Sequence, residues 1–271
     1  MKILIKLTIA ACITFNAYAG QEVDKTLAVD GASNVSVENQ QGKVIVSTWE
    51  QDSIQVQGTI ADSANKFIFE RSGDTVIIKV ALPYFNGKDY RRDHESHFTV
   101  KLPKSMRLSF NGIASDINLN GLSRSSHIET VSGDIEAENL SEFIDISTVS
   151  GNIHSKSLKG KVRLGSVSGD IKDENSDGDV EFKVVSGNIT TRSSAKEVSL
   201  NSVSGDIDFK LQQVDELEIS TVSGHVEGEL ALNDSALMEM NSVSGDFDIE
   251  FTNDLQANFR MSANAGGHFR N

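Results

Sequence analysis

The sequence predicts an all-β protein: a parallel β-solenoid, in the manner of a β-helix, of about eight 18-residue coils behind a strand-rich N-terminal region. Three observations predict it. The first is a phrase written seven times: TVSGDI from Thr130, TVSGNI from Thr148, SVSGDI from Ser166, VVSGNI from Val184, SVSGDI from Ser202, TVSGHV from Thr221 and SVSGDF from Ser242. Its valines, Val131, Val149, Val167, Val185, Val203, Val222 and Val243, follow one another at intervals of 18, 18, 18, 18, 19 and 21. A period this short marks a solenoid in which each repeat is one coil. The second is the alternating run before each phrase, as in Ile144 and Ile146, Val162 and Leu164, or Val180 and Phe182. Apolar residues two apart mark a strand with one buried face. The third is that no stretch of the repeats carries a 3.6-residue apolar period long enough for a helix.

The array opens with a worn copy, IASDI, in which Ile113 and Ile117 take the places of the valine and the closing isoleucine. Counted from the valine, apolar residues recur at −5, −3, 0 and +4. This predicts that Val131 and Ile135, and their equivalents, point inward, with a bend just before the valine. Glycine at +2 (Gly133, Gly151, Gly169, Gly187, Gly205, Gly224 and Gly245) answers either a positive φ or a close approach between coils. Serine at +1, from Ser132 onward, is expected as an outer column. Position +3 reads Asp134, Asn152, Asp170, Asn188, Asp206, His225 and Asp246. Stacked acids about 4.8 Å apart repel, so the interspersed Asn and His are read as relief of a like-charge ladder.

Residues 1–19 read as a secretory signal peptide: Lys2 and Lys6, an apolar run, then Ala17-Tyr18-Ala19 as the cleavage pattern. The only cysteine, Cys12, lies inside it. Ile9-Ala10-Ala11-Cys12 has the look of a lipobox, but the apolar run before it is too short once Lys6 is discounted, which argues against lipoprotein anchoring. The expectation is an exported protein, periplasmic or at the cell surface, that does not span the membrane, because no other stretch is apolar enough for a spanning helix. Residues 20–107 form the strand-rich N-terminal region, 108–250 the solenoid, and 251–271 a cap or tail. In the first of these, Val35 and Val37, Val44 and Val46, and Ile54 and Val56 read as three strands, with Trp49 in the turn before the last.

The combination of VSVENQQGKVIVSTWEQDSIQVQG, FTVKLPKSMRL and the VSGD/N array resembles a bacterial putative-adhesin family of β-strand-repeat proteins with a domain of unknown function. The resemblance covers roughly residues 30–250. It implies a right-handed parallel β-solenoid and brings no catalytic residues with it. HFRN at the end and His225 at a +3 position depart from the family's pattern.

The residues offer little chemistry. A net charge of −14 argues against nucleic acid. The serines come as a column rather than as one nucleophile with a base beside it, so no catalytic residue is assigned. The calcium-binding nonapeptide pattern is absent, and one Asp ladder gives too few oxygens per ion. No cofactor or metal is therefore expected. Lys159, Lys161 and Arg163 read as a solvated face. The irregular DYRRDHESHF, from Asp89, is the one reactive-looking segment. Its His94 and His97, with Asp93 and Glu95, fall one residue short of the zincin spacing. Tyr90, Arg91, Arg92, His94 and His97 instead suit a partner-contacting loop. The function these features point to is a non-enzymatic, adhesin-like structural or interaction role in the cell envelope, with an envelope protein or glycan as partner. The alternative is a carbohydrate-binding or polysaccharide-degrading β-helix protein.

Overall fold

A computed structural model of the chain describes residues 20–82 and 95–254. The strands in chain order begin with β1 (Gly20–Ala28), β2 (Asn34–Trp49), β3 (Ser53–Ala61), β4 (Lys66–Ser72), β5 (Thr75–Ala81), β6 (Ser96–Pro103) and β7 (Arg107–Asn120). From there long and short strands alternate: β8 (Ser126–Ser132) and β9 (Ile135–Glu138), β10 (Ser141–Ser150) and β11 (Ile153–Lys156), β12 (Lys159–Ser168) and β13 (Ile171–Glu174), β14 (Asp177–Ser186) and β15 (Ile189–Ser193). β16 (Glu197–Ser204) and the continuous β17 (Ile207–Phe251) complete the array. There is no helix among the described residues.

Each coil lies on the next in parallel, in the register the period predicts. Ile144 of β10 faces Val162 of β12, which faces Val180 of β14, which faces Val198 of β16. The short strands stack likewise, Ile153 on Ile135 and under Ile171. Like therefore stacks on like along these two columns, β-branched aliphatic on β-branched aliphatic.

The stacking reaches into the N-terminal region. β2 pairs with β7 in parallel from Asn34↔Arg107 to Ser47↔Asn120. It is one 16-residue strand rather than two with a turn at QQG. On its other side β2 pairs with β5 over its first half and β6 over its second. β5 and β6 together thus make one more rung, interrupted by residues 82–95. The antiparallel β1, β3 and β4 flank this end, β1 on β3, β3 on β6 and β4 on β5. Val35, Val37, Val44, Val46, Ile54 and Val56 are all buried, as their alternation predicts.

The core corrects one expectation. The valines of the phrase point outward: Val131 is 50% exposed and even the least exposed, Val185, is 40% exposed. The residue before each of them is the buried one, as with Thr130, Thr148, Ser166, Val184, Ser202 and Thr221. Strand parity simply runs on through −5, −3 and −1, and no bend precedes the valine. The break comes after it, where Val131 and Ser132 are exposed in succession before Ile135 returns to the core. Some of the buried hydroxyls are satisfied locally: Ser166 Oγ donates to the Gly151 carbonyl at 3.2 Å, and Thr130 Oγ1 to that of Ser115 at 3.3 Å, whereas Thr148 Oγ1 and Thr221 Oγ1 find no partner among the described residues.

At the corner after β9, β11 and β13 the chain turns left-handed, with φ of 54° at Asn139, 56° at Ser157 and 59° at Asn175. Asn tolerates this conformation better than Ser does. Ser157→Gly is expected to raise stability by up to about 1 kcal/mol. Thermal melts beside Asn139→Gly, where the gain should be smaller, check it.

Candidate functional site: the stacked outer columns

Register turns each outward position into a column along the solenoid. The glycine column is the tightest. A Cβ on Gly151, Gly169, Gly187, Gly205, Gly224 or Gly245 would lie 2.0–2.2 Å from the carbonyl oxygen of the equivalent glycine one coil earlier. Close approach is therefore the common requirement, because Gly151 and Gly245 do not carry the positive φ that the others show.

The +3 column has a different job from the one its charges suggest. Asp116 Oδ1 accepts the Asp134 backbone N–H at 3.0 Å, and Asp134 Oδ1 accepts that of Asn152 at 2.8 Å. The chain of bonds runs on through Asn152 to Asp170, Asp170 to Asn188, Asn188 to Asp206 and Asp206 to His225. Each side chain thus satisfies a backbone donor that the corner leaves outside the ladder. Asp and Asn serve equally because both present a carbonyl-type oxygen at the same reach. His225 fits because it joins the chain only as a donor, through its backbone N–H to Asp206 Oδ1. The column is a cap for the next coil, with one oxygen of each side chain spent on a backbone donor.

Most other outward columns are charged and paired between coils. Lys161 Nζ lies 2.7 Å from Asp179, Arg163 Nε 3.2 Å from Glu181 and Lys210 Nζ 2.7 Å from Glu229. These exposed pairs contribute up to about 1 kcal/mol each and mainly fix register. Arg163 also lies over the Phe143 ring, 5.4 Å from its centre. Lys161 and Arg163, read as a solvated face, are thus paired surface cations.

One stripe differs. The column Ile113, Val131, Val149, Val167, Val185, Val203, Val222 and Val243 is apolar and exposed throughout. Beside it run the exposed serines Ser132, Ser150, Ser168, Ser186, Ser204 and Ser223. On its other flank, two residues before each valine, stand Glu129, Ser147, Gly165, Lys183, Asn201 and Ser220. In a chain of net charge −14 this band holds one acid and one base of opposite sign. Seven coil spacings make it roughly 34 Å long, and three residues of strand make it about 10 Å wide. An area of roughly 340 Å², of which only the valine column is apolar, falls well short of the ~800 Å² per partner in a stable globular interface.

A second feature sits where the repeat falters. Residues 121–125 leave the ladder, so β8 starts at Ser126 opposite Ile144, and Ser141–Phe143 of β10 face no strand on that side. The gap opens a shallow groove of about 300 Å³ whose walls include Arg107, His127, Phe143 and Thr75. His127 Nδ1 lies 3.3 Å from Asp145 and its Nε2 3.2 Å from Glu129.

Of the loop residues singled out from sequence, Tyr90, Arg91, Arg92 and His94 lie outside the described residues. His97 is described, exposed on β6, with Nε2 3.3 Å from Glu95. Among the described residues no three His, Cys, Asp or Glu side chains gather as a metal site. Trp49 is half-buried, and its indole N–H donates to the Ser53 carbonyl at 2.8 Å, closing the β2–β3 turn. No described helix is long and apolar enough to cross a membrane.

The profile of the family described as Toastrack DUF4097 matches residues 24–269, nearly the whole chain. The chain belongs to the Toastrack DUF4097 family. Among solved structures, a putative adhesin from Parabacteroides distasonis ATCC 8503 is similar at 14% identity and a TM-score of 0.57, over 86% of this chain and 98% of that one. At such identity the likeness shows a shared fold. A putative adhesin from Bacteroides fragilis NCTC 9343 also matches, at 14% identity and a TM-score of 0.45, over 86% of this chain and 98% of that one. No curated protein matches. The resemblance read from the VSGD/N repeats thus holds for this Toastrack chain.

Proposed function

We propose that this Toastrack protein is a non-enzymatic, exported envelope protein that works as a rigid interaction rod, with the valine–serine stripe as its contact face. The carrying observation is that stripe: a straight, exposed, nearly uncharged ladder in an otherwise acidic molecule. Its narrowness suits an extended partner, a glycan strand or an envelope polypeptide, held by many weak contacts in series. The signal-peptide pattern of residues 1–19 and the putative-adhesin relatives support the export and envelope role.

Two measurements test it. Protease shaving of intact and fractionated cells is expected to find the chain outside the cytoplasm; recovery in the cytoplasm overturns the export reading. Binding of the purified protein to isolated cell envelopes is expected to fall at least about tenfold in a Val149→Lys/Val185→Lys variant, since each lysine places a hydrated charge in the contact. Unchanged binding by a folded variant sinks the stripe as the contact face.

The groove at Arg107, His127 and Phe143 favours a second reading, a glycan-binding module. Arg107→Ala/Phe143→Ala then abolishes envelope binding while the lysine variant retains it.

A further inference from the structure

The N-terminal end of the solenoid is sealed over half its width. β3 and β4 lie on β6 and β5 as one antiparallel rung. β1 covers the β3 half, residue against residue from Gly20↔Ala61 to Ala28↔Ser53. Over the other half no described strand follows, because β4 pairs only with β5 among the described residues. The side chains record the difference. Ile78 and Val80 of β5 are 0–1% exposed, whereas Phe69 and Phe67, opposite them on β4, are only partly buried. Lys25 of β1 reaches over the Phe67 ring, 5.4 Å from its centre. The other face of β4 carries Lys66, Ile68 and Glu70, with both charges exposed.

Such an edge is a template for another strand. Pairing with β5 is continuous from Lys66↔Ala81 to Ser72↔Thr75, so no bulge turns the edge away, and β4 contains no proline. Its backbone polarity follows from the hairpin. The loop is Gly73-Asp74, so Ser72 and Thr75 on either side of it form a hydrogen-bonded pair. Alternation then turns the N–H and C=O of Lys66, Ile68 and Glu70 toward β5, and those of Phe67, Phe69 and Arg71 toward the open edge.

This edge complements itself. Read antiparallel about Ile68, KFIFE sets Phe67 on the partner's Phe69, Lys66 on the partner's Glu70 and Glu70 on the partner's Lys66. The outward backbone groups of Phe67 and Phe69 then meet in hydrogen-bonded pairs. Lys66, Ile68 and Glu70 fall at the other sites, where side chains approach most closely. Moving the axis to Phe69 sets Glu70 on Ile68 and Lys66 on Ser72, and both charge pairs are lost.

We infer that β4 is the docking edge for a second copy of this chain: two solenoids pair β4 to β4, antiparallel about Ile68, joined through their N-terminal ends by mutual Lys66–Glu70 ion pairs. The contact is isologous, so each pair is made twice. One strand pair covers less than the ~800 Å² per partner of a stable globular interface, so the dimer is reversible, with a Kd between about 1 μM and 1 mM. It uses neither the valine stripe nor the groove.

Charge reversal tests it. Sedimentation equilibrium of the purified protein is expected to show monomer and dimer in exchange. Glu70→Lys sets lysine against lysine at both sites and is expected to weaken the dimer at least about tenfold; Lys66→Glu/Glu70→Lys restores it. Unchanged melting temperatures show that the variants are folded. A protein that stays monomeric up to about 1 mM, or a dimer indifferent to the reversal, overturns the proposal. Disulfide trapping in a Cys12→Ser background reads the register. Ile68→Cys brings two thiols across the axis, with Cα atoms about 4.5 Å apart and within disulfide reach. Glu70→Cys sets its two copies roughly 13 Å apart along the strands. The first is expected to form the disulfide-linked dimer at least about tenfold faster, and equal rates overturn the pairing.

Discussion

Gly187→Val lowers the melting temperature by about 10–20 °C or prevents folding. The new Cβ would sit 2.2 Å from the Gly169 oxygen and 2.7 Å from its carbonyl carbon. Those atoms are backbone and cannot swing aside. The coils cannot part to make room, because the Gly187 N–H donates onward to Ser204 and the Asn188 N–H is held at 2.8 Å by Asp170. A clash of this kind belongs with the exceptional substitutions beyond about 4 kcal/mol, and each kcal/mol is about 2–4 °C in a domain of this size. Gly165→Ala is the control: its Cβ meets nothing nearer than the Lys183 oxygen at 3.9 Å. Equal melting temperatures for the two variants would show that the glycine column does not set the coil spacing.

Asp173→Asn raises stability at neutral pH by about 0.5–3 kcal/mol, and its advantage disappears in acid. Asp173 stands in the core where its column otherwise reads Ala137, Ser155, Thr191 and Phe209, and it is fully buried. Ser155, Ser176 and Thr191 donate hydroxyl hydrogen bonds to it at 2.6, 2.5 and 3.1 Å. Burial pushes its carboxyl above the ordinary value, against the pull of those three hydroxyls. A folded-state pKa above the unfolded one means that the native state holds the proton more tightly. The favourable contribution is therefore complete below about pH 4, the unfolded range, and is lost as pH rises through the folded pKa. Asparagine removes the charge, keeps an oxygen for the Ser155 and Ser176 hydroxyls, and offers an amide N–H that the Thr191 hydroxyl accepts after rotating. Urea melts of both proteins at pH 7 and near pH 3.5 check it. A variant less stable than the parent at pH 7 would mean that the hydroxyl cage over-compensates for burial.

The same two residues show how far the sequence could be read. Gly187 was legible as one of seven glycines at fixed phase, because close packing of identical coils leaves a periodic trace. Asp173 was not legible, because it sits in the charged-looking run IKDENSDGD, where nothing marks one acid as inward. Hydropathy points the valine stripe the wrong way round. Val131 is apolar and Thr130 can be either in or out, so hydropathy favoured the valine, while the parity of the strand favoured the threonine. Parity won, since three inward residues on one continuous strand keep the backbone ladder intact. The buried threonine then finds its acceptor in a turn carbonyl that only stacking supplies.

The sequence by itself determined the coil, its 18-residue length, the stacking of like on like and the glycine corner, all of which repeat and so leave a period. The tertiary structure alone decided which way the phrase valines and the residues before them point, that the Asp/Asn column caps backbone donors of the following coil, and where the array opens into a groove. Those depend on contacts between residues 18 or more apart, where one residue's partner is set by register and not by its neighbours in the chain.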